Sequence, residues 1–194
     1  MIKPSPHYHL KYQICVSGAA ETGICAPNAL ELAKEVGKIV AEKKAVLLNG
    51  ATTGFPYWSA MGAKEAGGYT VGISPAKSEH EHVEDFKLPV DFMDVIIYSG
   101  MGFPGRDLML TRASDAVVIG CGRIGTLHEF TVSFEDQKPI GVLVGSGGTT
   151  DMIKDILAKS QRSAHNPNII FESQPRAMME QLFELIKKRK VIEI

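Results

Sequence analysis

Two side chains and three glycine-bearing turns carry most of the chemistry this chain could do. Glu129 ends the run Gly120-Cys121-Gly122-Arg123-Ile124-Gly125-Thr126-Leu127-His128-Glu129, which follows an apolar stretch from Ala116 to Ile119. That is the pattern of a strand, a tight glycine turn and a helix start. Backbone N–H groups in such a turn are free to meet an anion, and the helix dipole favours negative charge there. Gly122, Arg123, Gly125 and Thr126 are the phosphate-binding candidates of this turn. A carboxylate one turn into the helix makes the arrangement more than a binding loop.

Arg106 follows Phe103-Pro104-Gly105 and opens a short helix-like segment before that strand. It is either a solvated surface arginine or a guanidinium reaching a phosphate or ribose hydroxyl. A second glycine turn, Asn49 to Gly54, offers Gly50, Gly54 and the hydroxyls of Thr52 and Thr53 behind a buried strand. It reads either as a plain βα turn or as a phosphate cradle. It lacks the Lys-Ser/Thr ending of a P-loop, which argues against a nucleoside triphosphatase. Ser17-Gly18 is the third glycine turn, and Gly18 joins the candidates.

Local patterns compete with these readings. Thr126-x-x-Glu129 has capping-box spacing, and on spacing alone the cap is the expected role. A cap at a ligand-facing helix end still lies near the ligand. Gly120 to Gly125 is also a literal GxGxxG, which invites a dinucleotide reading. The following strand ends Val142-Leu143-Val144-Gly145-Ser146 without the carboxylate that would hold ribose hydroxyls, so a nicotinamide-dependent oxidoreductase ranks third. Glu79-His80-Glu81-His82 has no further His or Cys at useful spacing and reads as a solvated polar loop, with no metal assigned. Cys15, Cys25 and Cys121 form no CxxC pair, so neither a zinc site nor a disulfide scaffold is expected. Cys15 reads as a small core residue. Cys121 has only His128 nearby as a base, so a nucleophilic role is disfavoured.

The elements that must position these groups alternate along the chain. Strands are expected at 13–17, 45–48, 69–74, 94–98, 116–119, 140–144 and 168–172. Helices are expected at 28–42, 56–66, 106–113, 127–137, 149–160 and 177–189. Ala29, Leu32, Ala33, Val36 and Val40 recur at helical spacing, and Gly67-Gly68 is a helix-stop signal. The stretch 75–94 is polar and irregular. Short, nearly all-apolar strands between helices imply an α/β, Rossmann-like doubly wound fold, its mostly parallel sheet covered on both faces. Ligands of such sheets bind at the carboxyl ends of the strands, where the three glycine turns would converge.

The 194 residues suit one domain, 1–194, with 1–11 as an N-terminal extension. The net charge of -1 gives no steering toward nucleic acid or an anionic membrane. No stretch suits a bilayer span or a secretory leader, and the cytoplasm is the default expectation.

Taken together, these residues resemble the LOG (Lonely Guy) family, whose signature is PGGxGTxxE. Here it is matched by Cys121-Gly122-Arg123-Ile124-Gly125-Thr126-Leu127-His128-Glu129, preceded by Arg106-Asp107 and Ser114-Asp115-Ala116. The family's GGGxxGLMG loop is matched loosely by Asn49 to Gly54, and its AGG…GIxP segment by Gly67-Gly68, Gly72-Ile73 and Pro75. The resemblance implies hydrolysis of the N-glycosidic bond of a nucleoside 5′-monophosphate to free base and ribose 5-phosphate. In that reading Glu129 and Arg106 are catalytic, no cofactor is needed, and the protein is a homodimer or higher oligomer. Three positions depart from the family: Cys121 for Pro, Arg123 for Gly, and Asp107 for the Lys after the helix arginine. The hydrolase is the first reading, and these departures are what speaks for the alternative, a non-catalytic nucleotide or cofactor sensor or carrier on the same fold.

Overall fold

The computed structural model describes residues 10–162 and 166–189. Seven strands form one sheet: β1 (Gln13–Ser17), β2 (Val46–Asn49), β3 (Tyr69–Ser74), β4 (Val95–Tyr98), β5 (Ala116–Ile119), β6 (Ile140–Leu143) and β7 (Ile169–Glu172). Their order is β4-β3-β2-β1-β5-β6-β7, and every pairing is parallel. The α/β, Rossmann-like architecture expected from the alternation is the one observed.

The central strands β1, β5 and β6 bury both faces, and their alternating side chains divide the core in two. Ile14, Val16 and Val118 point to one side, where α1 (Ala29–Glu42), α2 (Phe55–Glu65) and α6 (Pro175–Lys187) supply Ala33, Val36, Phe55, Met178 and Leu182. Cys15, Val117 and Ile119 point to the other, against α3 (Gly102–Ala113), α4 (Ile124–Glu135) and α5 (Ile153–Lys159). Leu110, Phe130 and Leu157 fill that layer.

Several boundaries differ from the sequence expectation. α3 begins four residues before Arg106, and α4 begins three residues before Leu127. The segment from Thr149 is a 3₁₀ turn that passes into α5 rather than one helix. Within 75–94 lies a single π turn, Glu81–Asp85. His82 in that turn is fully buried, its ring bonded to the Ser74 hydroxyl (2.8 Å) and to the Pro89 carbonyl (3.0 Å). It is a satisfied interior histidine rather than part of a solvated loop, and among the described residues no group of ligating side chains could hold a metal. Most of the expected N-terminal extension lies outside the described residues. No helix among them is long and apolar enough to cross a membrane.

Strand order places the site. The chain winds outward from β1 to β4 and then returns to lay β5 against the other side of β1, with Ser17 beside Ile119. The loops after β1 and β5 therefore diverge to opposite faces, which opens a crevice at the carboxyl ends of the two strands.

Candidate functional site

That crevice is a cleft of about 270 Å³ lined by Gly18, Ala19, Ala20, Glu21, Thr52, Phe103, Arg106, Asp107, Arg123, Gly125, Thr126 and Glu129. Of the residues expected from sequence, Gly18, Thr52, Arg106, Arg123, Gly125, Thr126 and Glu129 meet here. Gly50, Thr53, Gly54 and Gly122 do not line it. Each of these four has a supporting position instead. Gly50 lies under Arg106, where a Cβ would overlap the guanidinium. Gly54 adopts φ +70 against the Ala19–Ala20 backbone, and the Thr53 hydroxyl donates to the Ala20 carbonyl. Gly122 is bridged to Gly148 beyond β6.

One buried ring fills the space beneath the cleft walls. Phe55 is fully buried, and a Cβ on either Gly18 or Gly120 would overlap it. Two of the glycines that look like phosphate-loop residues are thus required by packing, which lets the β1 and β5 loops close over the ring.

Glu129 faces the floor of the cleft at 7% exposure. The Ser17 hydroxyl donates to its Oε2. No side chain caps α4, whose N-cap position is Arg123, so the capping box expected at Thr126 and Glu129 does not form. The helix starts earlier than that motif requires, which puts Thr126 inside its first turn and turns Glu129 toward β1. Burial and then the neighbouring Asp107 charge push the Glu129 carboxyl up to about 7, while Arg106, the Ser17 hydrogen bond and His128 pull the other way.

Arg106 is buried at 7% exposure, so the surface reading of this residue is excluded. Its Nη1 donates to the Gly50 carbonyl at 2.6 Å. Its Nε sits 3.0 Å from Asp107 Oδ1 but makes no hydrogen bond. The Phe103 ring, half exposed at the cleft rim, lies 5.7 Å from the guanidinium carbon. Asp107 is buried as well, and its Oδ2 meets His128 Nδ1 at 3.1 Å. Glu129 thus shares the cleft with Arg106 and Asp107, and Asp107 links that guanidinium to the His128 imidazole. Sequence reading noted Asp107 only as a departure, because nothing local shows that it is buried beside Arg106.

At the mouth, Arg123 pairs with Glu21, and both are exposed. Such a pair adds little stability, and its arginine is available to an anionic ligand. The first turn of α4 opens toward the same space, and outside that turn's own backbone no atom lies within 4 Å of where a Gly125 Cβ would stand.

The cysteines overturn their expectation. Cys25, in the loop after β1, is disulfide-bonded to Cys121 in the loop after β5, with Cα atoms 5.4 Å apart. A separation of 96 residues hides the pair in the sequence, and the adjacency of β1 and β5 creates it. Cys121 is therefore no free nucleophile here. Cys15 stays free and buried, and burial raises its thiol well above the usual range.

Residues 11–179 match the model of the SLOG cluster4 family. The chain belongs to that family. An uncharacterized protein of Archaeoglobus fulgidus is 35% identical over 131 residues, which is 68% of this chain and 79% of that one. The molybdenum cofactor binding protein of Rippkaea orientalis is 29% identical with a TM-score of 0.70, covering 94% of this chain and 99% of the other. The molybdenum cofactor carrier protein of Chlamydomonas reinhardtii is 27% identical with a TM-score of 0.67, at coverages of 90% and 99%. The LOG-like identity read from the sequence is borne out at the level of family and fold.

The raised Glu129 carboxyl makes the stability of this SLOG cluster4 protein depend on pH. The folded state holds a proton on Glu129 that the unfolded chain releases nearer 4.5, so the contribution of this group to stability is greatest below that value and falls as pH rises toward 7. Asp107→Asn removes the charge that opposes ionisation, and the Glu129 titration, followed by carboxyl NMR, is expected to move downward. A midpoint unchanged in that variant would show that burial alone sets it.

Proposed function

We propose that this protein binds a phosphorylated heterocyclic small molecule, of the nucleoside monophosphate or phosphorylated pterin type, and carries it chemically unchanged. The observation that carries the proposal is the open, uncapped first turn of α4 facing a cleft whose rim bears an exposed aromatic ring. The phosphate would rest on the α4 amides near Gly125 and Thr126, with the Thr52 and Thr126 hydroxyls and Arg123 beside it. Phe103 would stack on the heterocycle. The volume of about 270 Å³ lies just below the usual range for ligand pockets, which suits a mononucleotide-sized ligand better than an enclosed dinucleotide.

Carriage is preferred to hydrolysis because the charge of Arg106 is already engaged. Asp107 neutralises it and Gly50 holds one arm, which leaves it poorly placed to meet charge developing in a reaction. The kinship with molybdenum cofactor binding and carrier proteins supports the same reading. Hydrolysis of an N-glycosidic bond is the second reading, and one observation favours it. A buried carboxyl titrating near 7 is suited to general acid–base work at neutral pH.

Glu129→Gln tests the ligand pose, and release of free base by the parent but not by this variant is what separates the two readings. A protonated glutamate and a glutamine present similar shape and polarity, so carriage predicts an affinity within about tenfold of the parent, or 1.4 kcal/mol. Calorimetric titration with guanosine 5′-monophosphate and with a phosphorylated pterin measures it. Loss of all binding in this variant, with the fold intact by circular dichroism, would count against the proposed ligand pose.

A further inference from the structure

We infer that Cys25 and Cys121 form a reversible redox site that fixes the width of the ligand cleft, closing it when bonded and loosening it when reduced. The inference rests on the proposed ligand site, because the walls joined by the bond are the walls of that cleft. One wall is the loop after β1, Gly18 to Glu21; the other is the start of α4, with Arg123, Gly125 and Thr126. Cys25 follows the first wall by four residues and Cys121 precedes Arg123 by two.

Few other links join these walls directly. The Ala19 amide donates to the Cys121 carbonyl at 2.6 Å, and the exposed Arg123–Glu21 pair crosses the mouth. Each loop also has its own anchor in the segment after β6. Cys25 is bridged to Gly147, and the Ala26 amide donates to Ser146. Gly122 is bridged to Gly148, and the Thr149 hydroxyl donates to the Arg123 carbonyl at 3.0 Å. Without the disulfide, both loops stay attached to the fold. What weakens is the tie between them, which makes this bond a control of the cleft rather than a staple of the core.

Access is one-sided. Cys25 is half-buried, whereas Cys121 is fully buried. A dithiol reductant therefore attacks the Cys25 sulfur as thiolate, breaks the S–S bond and expels the Cys121 thiolate, which takes up a proton. The reductant's second thiolate then attacks its own sulfur in the mixed disulfide and frees the Cys25 thiolate, which is protonated in turn. Two electrons and two protons pass from the dithiol to the protein, and the reductant ends as a disulfide. The Cys121 thiolate leaves beside the N-terminal end of α4, where negative charge is favoured. Cys15 takes no part, since its buried thiol is held well above the usual range and is not bonded.

The test compares the full chain before and after dithiothreitol. Thiol titration in denaturant is expected to find one free thiol before reduction and three after. Amide exchange across 121–127 is expected to quicken on reduction, and affinity for guanosine 5′-monophosphate to fall by about fivefold or more. Cys25→Ser should match the reduced parent and ignore dithiothreitol. Three thiols before reduction, or equal exchange in both states, overturns the inference. If no nucleotide binds in either state while exchange still changes, the ligand proposal fails and the redox site stands.

Discussion

Arg106→Ala is expected to destabilise the protein by about 3–5 kcal/mol, the usual cost of removing one partner from a buried ion pair. The arginine is the guanidinium in contact with Asp107, and its charge also offsets the upward push of burial on the Glu129 carboxyl. Without it, two buried carboxyl groups remain, with the half-exposed His128 imidazole on Asp107 and the Ser17 hydroxyl on Glu129. The remedy open to the protein is protonation, so the loss should be larger at pH 8 than at pH 5. Denaturant unfolding at the two pH values measures both effects. Arg106→Lys keeps the charge but lacks the planar fork that reaches Gly50 and Asp107 together, so it should recover part of the loss. A loss under about 1 kcal/mol for the alanine variant would mean that solvent screens this pair.

Phe55→Ala is expected to cost a similar amount, about 3–5 kcal/mol, for a different reason. The ring is fully buried, and the space it occupies is cleared on both sides by Gly18 and Gly120. The cavity left behind would lie directly under the two loops that form the cleft walls. The same substitution should therefore weaken ligand binding as well as stability. Ile97→Ala, at the exposed edge strand β4, is the reference for an outlying apolar residue and should shift stability by no more than about 0.5 kcal/mol. Equal effects of the two substitutions in denaturant unfolding would contradict the packing role given to Phe55.

Much of the fold was legible because its signals are local. Apolar β-branched strands alternating with helical periodicity gave the parallel sheet, and strand-end glycines pointed to the carboxyl edge. Glu129 and Arg106 were both picked out from sequence, and the fold brings them to one cleft. What stayed hidden depends on the crossover that sets β5 beside β1. The Cys25–Cys121 bond and the seating of Phe55 between Gly18 and Gly120 both arise there. Asp107 was visible as a departure, but its burial against Arg106 and His128 is a tertiary fact. The capping-box spacing misled because α4 begins at Ile124, so Glu129 reaches Ser17 on β1 instead of its own helix end. His82 was misread for a similar reason: a polar segment folds back over β3 and buries the one histidine that bonds Ser74.

The most direct measurement is to incubate the purified, oxidised protein with guanosine 5′-monophosphate, adenosine 5′-monophosphate and a phosphorylated pterin. Bound ligand and free base are then followed together by chromatography over hours. Carriage predicts saturable binding of one of these ligands, recovered intact on denaturation, with no base released above the protein-free control. Release of free base that disappears in Glu129→Gln would contradict carriage and establish the hydrolase.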